Sequence, residues 1–412
     1  LDAAFASIAQ ARAIAHQIDP IRLEALLSLV EGRLLRFRDS DGVAARESLH
    51  QARAIAHVTG ATAIEAASLM ALGHAAYDID DFATAEYYAH RAATAYRAIG
   101  DRYALARTTM QQARLLVARG NFRTAETAVN ETIRIAQTFS DRYVEASSRA
   151  LLGTIFDVGY GRHRDAEEHF QAAACIGKHT GDPYLEGIIL RGRGRNALHT
   201  GDFDEAAICF SRATVLARDH SNLRALDGTL VCLAYLSIAT RDYAAGVDYA
   251  EQVVRSAQQM NRQFTRATGL LASGLAHECL GLPFEATAAY SQAISIAETL
   301  HLPHMHCEGL AGVAGVMSAK NDHDLARHAI QPAIDFLLRN QLCGCEEPSR
   351  VALTAYRILS GRHDPRAEEV ARCGARIVQQ RADLLPHDEG IRYIHAYPER
   401  VILNQMHPRT SA

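Results

Sequence analysis

A short signature returns along this chain at an almost constant interval, and it confines the fold to a repeat array. Asp81-Phe82-Ala83-Thr84-Ala85 is followed by Asn121-Phe122-Arg123-Thr124-Ala125 and later by Asp202-Phe203-Asp204-Glu205-Ala206. Diverged copies stand at His163-Arg164-Asp165-Ala166, Asp242-Tyr243-Ala244-Ala245-Gly246, Leu282-Pro283-Phe284-Glu285-Ala286, Asp322-His323-Asp324-Leu325-Ala326 and Asp364-Pro365-Arg366-Ala367. The small residue closing each copy falls at 85, 125, 166, 206, 246, 286, 326 and 367, in steps of 40 or 41. Ala45 and Ala4 extend the series backwards. A heptapeptide, Gln10 to His16, returns unchanged at Gln51 to His57.

Each period holds two helices. Ala106, Met110, Ala113 and Val117 form one apolar stripe at helical spacing, and Phe122, Ala125, Val129, Ile133 and Ala136 form the next. Between them, Gly120, Gly201 and Gly281 suit a left-handed helix end, and Asp81, Asn121, Asp202 and Asp242 suit the following N-cap. The second linker carries Gly100-Asp101, Ser140-Asp141, Gly181-Asp182 and Ser221-Asn222. The unit is therefore helix A, tight turn, helix B, short linker. Small residues within A (Gly73, Ala113, Gly153, Gly194, Ala234, Gly274, Ala314) predict a close approach of A to B. The fold class expected is all-α: a right-handed superhelical solenoid of antiparallel helix pairs.

Composition agrees with this and removes other classes. Only 27 glycines and 10 prolines interrupt 412 residues, so helix breakers are scarce. A net charge of −4 gives no basis for direct nucleic-acid contact. No apolar run is long enough to span a bilayer. The eight cysteines are scattered in apolar helical contexts, which predicts reduced thiols and a cytoplasmic location. Leu1 stands at the edge of a helix, which predicts a piece of a longer protein.

The small residue in A, the aromatic after the turn and the alanine three residues later resemble the tetratricopeptide repeat. Leu72-Gly73, Phe82 and Ala85 carry the match, as do Gly194, Phe203 and Ala206. A period near 40 departs from that family's usual 34. It is similar to the tetratricopeptide-like sensor region of the maltose-regulon activator and of related signal-transduction ATPases with numerous domains. The tail from Tyr393 to Leu403, with Pro398, resembles the closing helix of such arrays. The resemblance implies a sensor region whose ATPase and output domains lie elsewhere in the same polypeptide. No phosphate loop is present: Gly177-Lys178-His179-Thr180 lacks the upstream glycine.

The domain organisation expected is an array over 1–386, with an orphan B helix at 1–18 and about nine helix pairs, then a capping helix and tail over 387–412. The orphan helix would leave an apolar face of Ala4, Ile8, Ala11 and Ala15 open to a homodimer contact.

Candidate binding residues follow from the register. The A helices of such solenoids line a groove. With Gly194 as the packing position, Arg191, Arg195 and His199 share the opposite face, four residues apart. Neighbouring repeats contribute Arg114, His74, Tyr77 and Tyr235. Arginine there offers bidentate recognition of carboxylate or phosphate. Gly192 is expected to leave room for a ligand. The bland alternative pairs these arginines with acids of neighbouring helices. For a metal, His301, His304, His306 and Cys307 with Cys343 and Cys345 form the densest cluster, but their spacing does not match a structural zinc site. No nucleophile–base motif is visible, so no catalytic residue, metal or cofactor is assigned.

Three readings remain open. The chain is a non-catalytic sensor region that takes an effector, either a small anion or a protein or peptide. Alternatively, it is a free-standing peptide-binding scaffold. A metal-dependent enzyme is the remote third.

Overall fold

The computed structural model describes residues 2–15, 20–38 and 42–407. Leu1, residues 16–18 of the expected first helix, His16 of the repeated heptapeptide and the 408–412 tail lie outside the described residues.

The described residues are helical throughout, with no strand among them. A lone helix α1 (Asp2–Ala15) precedes nine A/B pairs. The first three pairs are α2 (Pro20–Arg38) with α3 (Val43–Val58), α4 (Thr62–Asp78) with α5 (Phe82–Ala98), and α6 (Arg102–Ala118) with α7 (Phe122–Thr138). Next come α8 (Arg142–Thr154) with α9 (His163–Gly177), α10 (Pro183–Thr200) with α11 (Phe203–Asp219), and α12 (Leu223–Ala239) with α13 (Tyr243–Gln259). The last three are α14 (Gln263–Cys279) with α15 (Pro283–Thr299), α16 (Pro303–Ala319) with α17 (His323–Asn340), and α18 (Pro348–Ser360) with α19 (Ala367–Asp383). Two short helices close the chain, α20 (His387–His395) and α21 (Pro398–Met406). None is long and apolar enough to cross a membrane.

The turns follow the chemistry of the sequence. A residue of positive φ ends nearly every helix, at Gly120, Gly201 and Gly281 as expected, but also at Asp80, Arg241 and Asn321. The helix end demands this conformation whether or not glycine is there to adopt it cheaply. The following helix is capped by a side-chain carboxylate: Asp81 accepts from the Thr84 N–H at 3.1 Å, Asp202 from Glu205 at 3.3 Å and Asp242 from Ala245 at 3.2 Å. Asp182 caps α10 in the same way, accepting from Leu185 at 2.9 Å.

Three of the small residues of the A helices receive rings from their B partners, and Gly73 receives the Gln111 amide of α6 instead. A Cβ added at Gly194 would stand 2.6 Å from Phe210, one at Gly153 2.8 Å from Phe170, and one at Gly274 2.6 Å from Tyr290. Gly192 belongs to the same system and is not a ligand space: its added Cβ would meet the Phe170 ring at 2.4 Å. Successive A helices also pack on one another, as α10 on α12, α12 on α14 and α14 on α16.

The chain divides into two compact units. The first holds Leu1–Val117, Arg123–Ser148 and Gln259–Arg262; the second holds Ala118–Phe122, Arg149–Gln258 and Gln263–Ala412. In the first unit α1 lies against α2, and Ile8 is buried. The face expected to be open at the N-terminus is therefore covered at Ile8 by α2.

In the second unit the helix pairs close on themselves. The last turn of α8 widens into a π-helix, Ile155–Tyr160. One extra residue makes such a turn, and it falls in the interval where the repeat runs to 41. The N–H of Gly344, in the loop before α18, donates to the carbonyl of Val158 in this turn at 3.2 Å. At the C-terminal end, Tyr397 Oη donates to the carbonyl of Leu198 at 3.2 Å, and Arg400 Nη1 to that of His199 at 2.7 Å. Those carbonyls belong to the last turn of α10, where helical partners run out. The start of the second unit is thus capped by its end.

Candidate binding site

The sequence candidates fall in both units. His74 and Tyr77 on α4 and Arg114 on α6 lie in the first; Arg191, Arg195 and His199 on α10 and Tyr235 on α12 lie in the second.

In the first unit the repeat register places Arg33, His74 and Arg114 at equivalent points of α2, α4 and α6. His74 is held well below the usual histidine range, first by burial and then by Arg36, Arg114, Arg107 and Arg33 around it. Its imidazole is neutral among four guanidinium groups. Arg36 is neutralised by Asp78 at 2.6 Å. Arg107 lies over the Tyr103 ring, 5.8 Å from its centre. Arg33 and Arg114 show no ion pair among the described residues. Tyr77 stacks on Phe82 at 5.8 Å, which makes it part of the A–B turn.

In the second unit the centre of charge is Asp157, a residue the sequence reading passed over. It sits in the π-helical turn with its side chain wholly buried. His199 Nδ1 approaches Asp157 Oδ1 at 2.7 Å and His163 Nδ1 approaches it at 3.1 Å, while Arg195 Nε donates to Oδ2 at 3.1 Å. On its far side His199 Nε2 meets Glu346 Oε1 at 3.1 Å. Burial alone would raise the Asp157 carboxyl, but His199, His163 and Arg195 hold it well below its usual range. Burial likewise opposes charge on His199, yet Asp157 and Glu346 push it up to about 10. His163 goes the other way, lowered to about 4 chiefly by burial. The assembly therefore carries Asp157 and Glu346 as anions, Arg195 and His199 as cations, and His163 neutral.

Asp157, His163 and His199 bring donor atoms within 4.8 Å of one another, close enough for a metal ion. The shared protons and the Arg195 guanidinium already balance the two carboxylates, so the cluster is complete as an ionic network. The cluster weighed from the sequence does not converge. His301 is exposed, His306 pairs with Glu298 at 3.1 Å, and Cys307 and Cys345 donate weakly to the carbonyls of Pro332 and His304.

Tyr235 faces a second set. Its hydroxyl is raised well above the usual tyrosine range, by burial first and then by Glu308 and Glu346. Glu308 caps the start of α18, accepting from the Glu347 N–H at 3.1 Å. Burial and Glu346 push its carboxyl up to about 7. Arg350 meets Glu278 at 3.5 Å, and Glu278 accepts from Tyr290 Oη at 2.7 Å. Arg195 and His199, expected to face a groove, are thus committed to acids of the same unit, while Arg191 is not. No local pattern marked Asp157 or Glu346: His163 stands six residues from Asp157, but the partners Arg195 and His199 stand 38 to 147 residues away from the acids they meet.

No protein-family profile matches the chain, and no curated protein matches it. Solved structures do. A Rap protein in complex with Competence and Sporulation Factor is similar over 83% of this chain and 96% of its own, with a TM-score of 0.58 and 13% identity. NprR in complex with its cognate peptide NprX covers 80% of this chain and 98% of its own, at a TM-score of 0.51 and 13% identity. This fold is a tetratricopeptide-like repeat array. A signal-transduction ATPase with numerous domains from Pyrococcus horikoshii, which carries a tetratricopeptide repeat sensor, matches 87% of the array with a TM-score of 0.52 and 12% identity. The array spans about half of that protein, 53% of its chain.

Proposed function

We propose that this array is a non-catalytic binding scaffold that takes a protein or peptide partner on its A-helix faces, as the sensor region of a bacterial multidomain regulator. The observation that carries the binding reading is the surplus of cations on those faces. Arg33 and Arg114 stand beside a neutral His74, and Arg191 lies in the second unit with no carboxylate set against it. A fold that gathers like charges at the cost of its own stability keeps them for a ligand of opposite charge. The structures of similar fold in complex with Competence and Sporulation Factor and with the cognate peptide NprX support a peptide or protein as that ligand, and the unpaired arginines favour an acidic one. The acids of the second unit are engaged with their neighbours, Asp157 and Glu346 holding His199 protonated and Glu308 capping α18, which argues against catalysis.

The test is affinity capture with the purified array, followed by titration of the captured partner against Arg33→Gln/Arg114→Gln. A ten-fold or greater loss of affinity is expected. Affinity unchanged by the double variant sinks the assignment of these faces. The sensor reading, motivated by the signal-transduction ATPase of similar fold, is tested on the full-length gene. An ATPase module in the same polypeptide supports it; a native start within one or two helices of Leu1 leaves a free-standing scaffold.

A further inference from the structure

Arg191 is the cation the second unit leaves over. It lies on α10 one turn before Arg195, so the two share a face. Arg195 is engaged by Asp157. Arg191 makes no ion pair or side-chain hydrogen bond among the described residues, and Arg195 and Arg224, both positive, act on it electrostatically. Cys232 lies close as well, but burial pushes its thiol up to about 11, so it is neutral and supplies no counter-charge. The Arg191 side chain is half-buried: it sits deep in the unit, with part of its surface still open to solvent.

A glycine on the next A helix makes the space for it. Gly228 stands inside α12, where alanine is the better helix former. A Cβ there would fall 2.6 Å from Arg191 Nη1 and 3.2 Å from its Cζ, and the third nearest atom is again Arg191's, its Cδ at 3.6 Å. Other tightly packed A-helix glycines receive uncharged groups: an aromatic ring at Gly153, Gly192, Gly194, Gly274 and Gly312, an aliphatic side chain at Gly32 and Gly309, and the Gln111 amide at Gly73; Gly228 receives a guanidinium. The position is unexplained by core packing and is explained by a need to seat this charge.

We propose that Arg191, seated in the recess that Gly228 leaves on α12, binds a compact oxyanion, a carboxylate or a phosphate group, through the part of its guanidinium still open to solvent. The planar guanidinium offers paired N–H donors to such a group. Arg195 and Arg224 add positive field without competing for it. Partial burial strengthens the contact relative to one made in open water. The inference rests on the binding reading above and deepens it, since an acidic group of the partner is what the recess would anchor.

The experiment uses the full chain, with inorganic phosphate and succinate as probes. Each is titrated at constant ionic strength against sodium chloride, and binding is followed by calorimetry and by the shift in melting temperature. Wild type is expected to bind at least one probe saturably. Phosphate ahead of succinate points to a phosphorylated ligand, and succinate ahead points to a carboxylate. Arg191→Gln is expected to weaken the preferred probe at least ten-fold. Gly228→Ala keeps the charge but displaces the guanidinium, and is expected to weaken it several-fold; it also carries the test if Arg191→Gln fails to fold. Absence of saturable binding to wild type overturns the proposal, as does binding by either folded variant within two-fold of wild type. A partner captured by the array in the absence of any anion response would overturn the recess while leaving the scaffold intact. An anion response without a captured partner would keep the recess and count against the scaffold.

Discussion

His199 Nε2 lies 3.1 Å from Glu346 Oε1, although 147 residues separate them along the chain. This contact joins α10 to the loop before α18, and with Asp157 on the other ring nitrogen it fixes His199 as a cation. Removing one partner of a buried pair strands the other. Glu346→Gln keeps the shape and can still accept a hydrogen bond. Because Glu346 retains 21% of its side-chain surface, the expected loss is at the low end, about 1–3 kcal/mol by urea denaturation. The pH dependence has a definite sign. His199 titrates near its ordinary 6.5 when unfolded and at about 10 when folded. Its stabilisation is fully present below pH 6.5 and is lost as pH rises through about 10. Glu346→Gln should flatten this alkaline limb, and an unchanged limb in the variant would contradict the assignment.

Arg400 closes the same end of the unit. It is 1% exposed, donates to the carbonyls of His199 and Tyr393, and lies 4.0 Å from the centre of the Tyr393 ring. Arg400→Met preserves much of the stem and removes both donors. It leaves the last turn of α10 without its cap, which predicts a cost of about 3 kcal/mol. Limited proteolysis should show new cleavage after residue 386 before any elsewhere, and uniform loss of protection along the chain would argue against a local latch.

Acid stability is governed by histidines buried without charge. The His304 ring packs beside Gly120 and Gly344, and burial lowers its pKa to about 4 against a weaker pull upward from Glu346. The unfolded chain therefore binds a proton that the folded chain refuses. Stability from this group is present above pH 6.5 and falls as pH drops towards 4. At pH 5 the loss is about 2 kcal/mol. His304→Asn should show a smaller difference in melting temperature between pH 7 and pH 5 than wild type does. Equal differences would mean that other groups control the acid limb.

The helix pairs were legible because they are local. A turn every 20 residues, an apolar stripe on each side and a capping aspartate all act within a few positions of one another. The candidate site was legible only in part. The spacing of Arg191, Arg195 and His199 put them on one face of α10, but their fates were decided by residues far along the chain. Asp157 and Glu346 claimed two of the three. The extra residue between Ala125 and Ala166 was visible as an interval of 41, and it is the residue that builds the π-turn presenting Asp157. Nothing in the spacing said which side chain the widened turn would turn inward. Gly192 shows the opposite case: read as space for a ligand, it is space for Phe170.

Two alanine substitutions on successive A helices separate packing from recognition. At Gly194 an added Cβ meets Phe210 at 2.6 and 2.8 Å and Cys209 at 3.0 Å, in a core where Phe210 is wholly buried. Overpacking there costs about 1–3 kcal/mol, which exceeds the roughly 1 kcal/mol that alanine gains over glycine in a helix. Gly194→Ala should therefore be destabilised. At Gly228 the added Cβ meets only the flexible end of Arg191, which can swing away. Gly228→Ala should keep most of the propensity gain and be more stable by up to about 1 kcal/mol. Opposite signs in the two midpoints of denaturation are the expected result. If both variants lose stability alike, Gly228 is a packing glycine, and the space beside Arg191 serves the fold rather than a ligand.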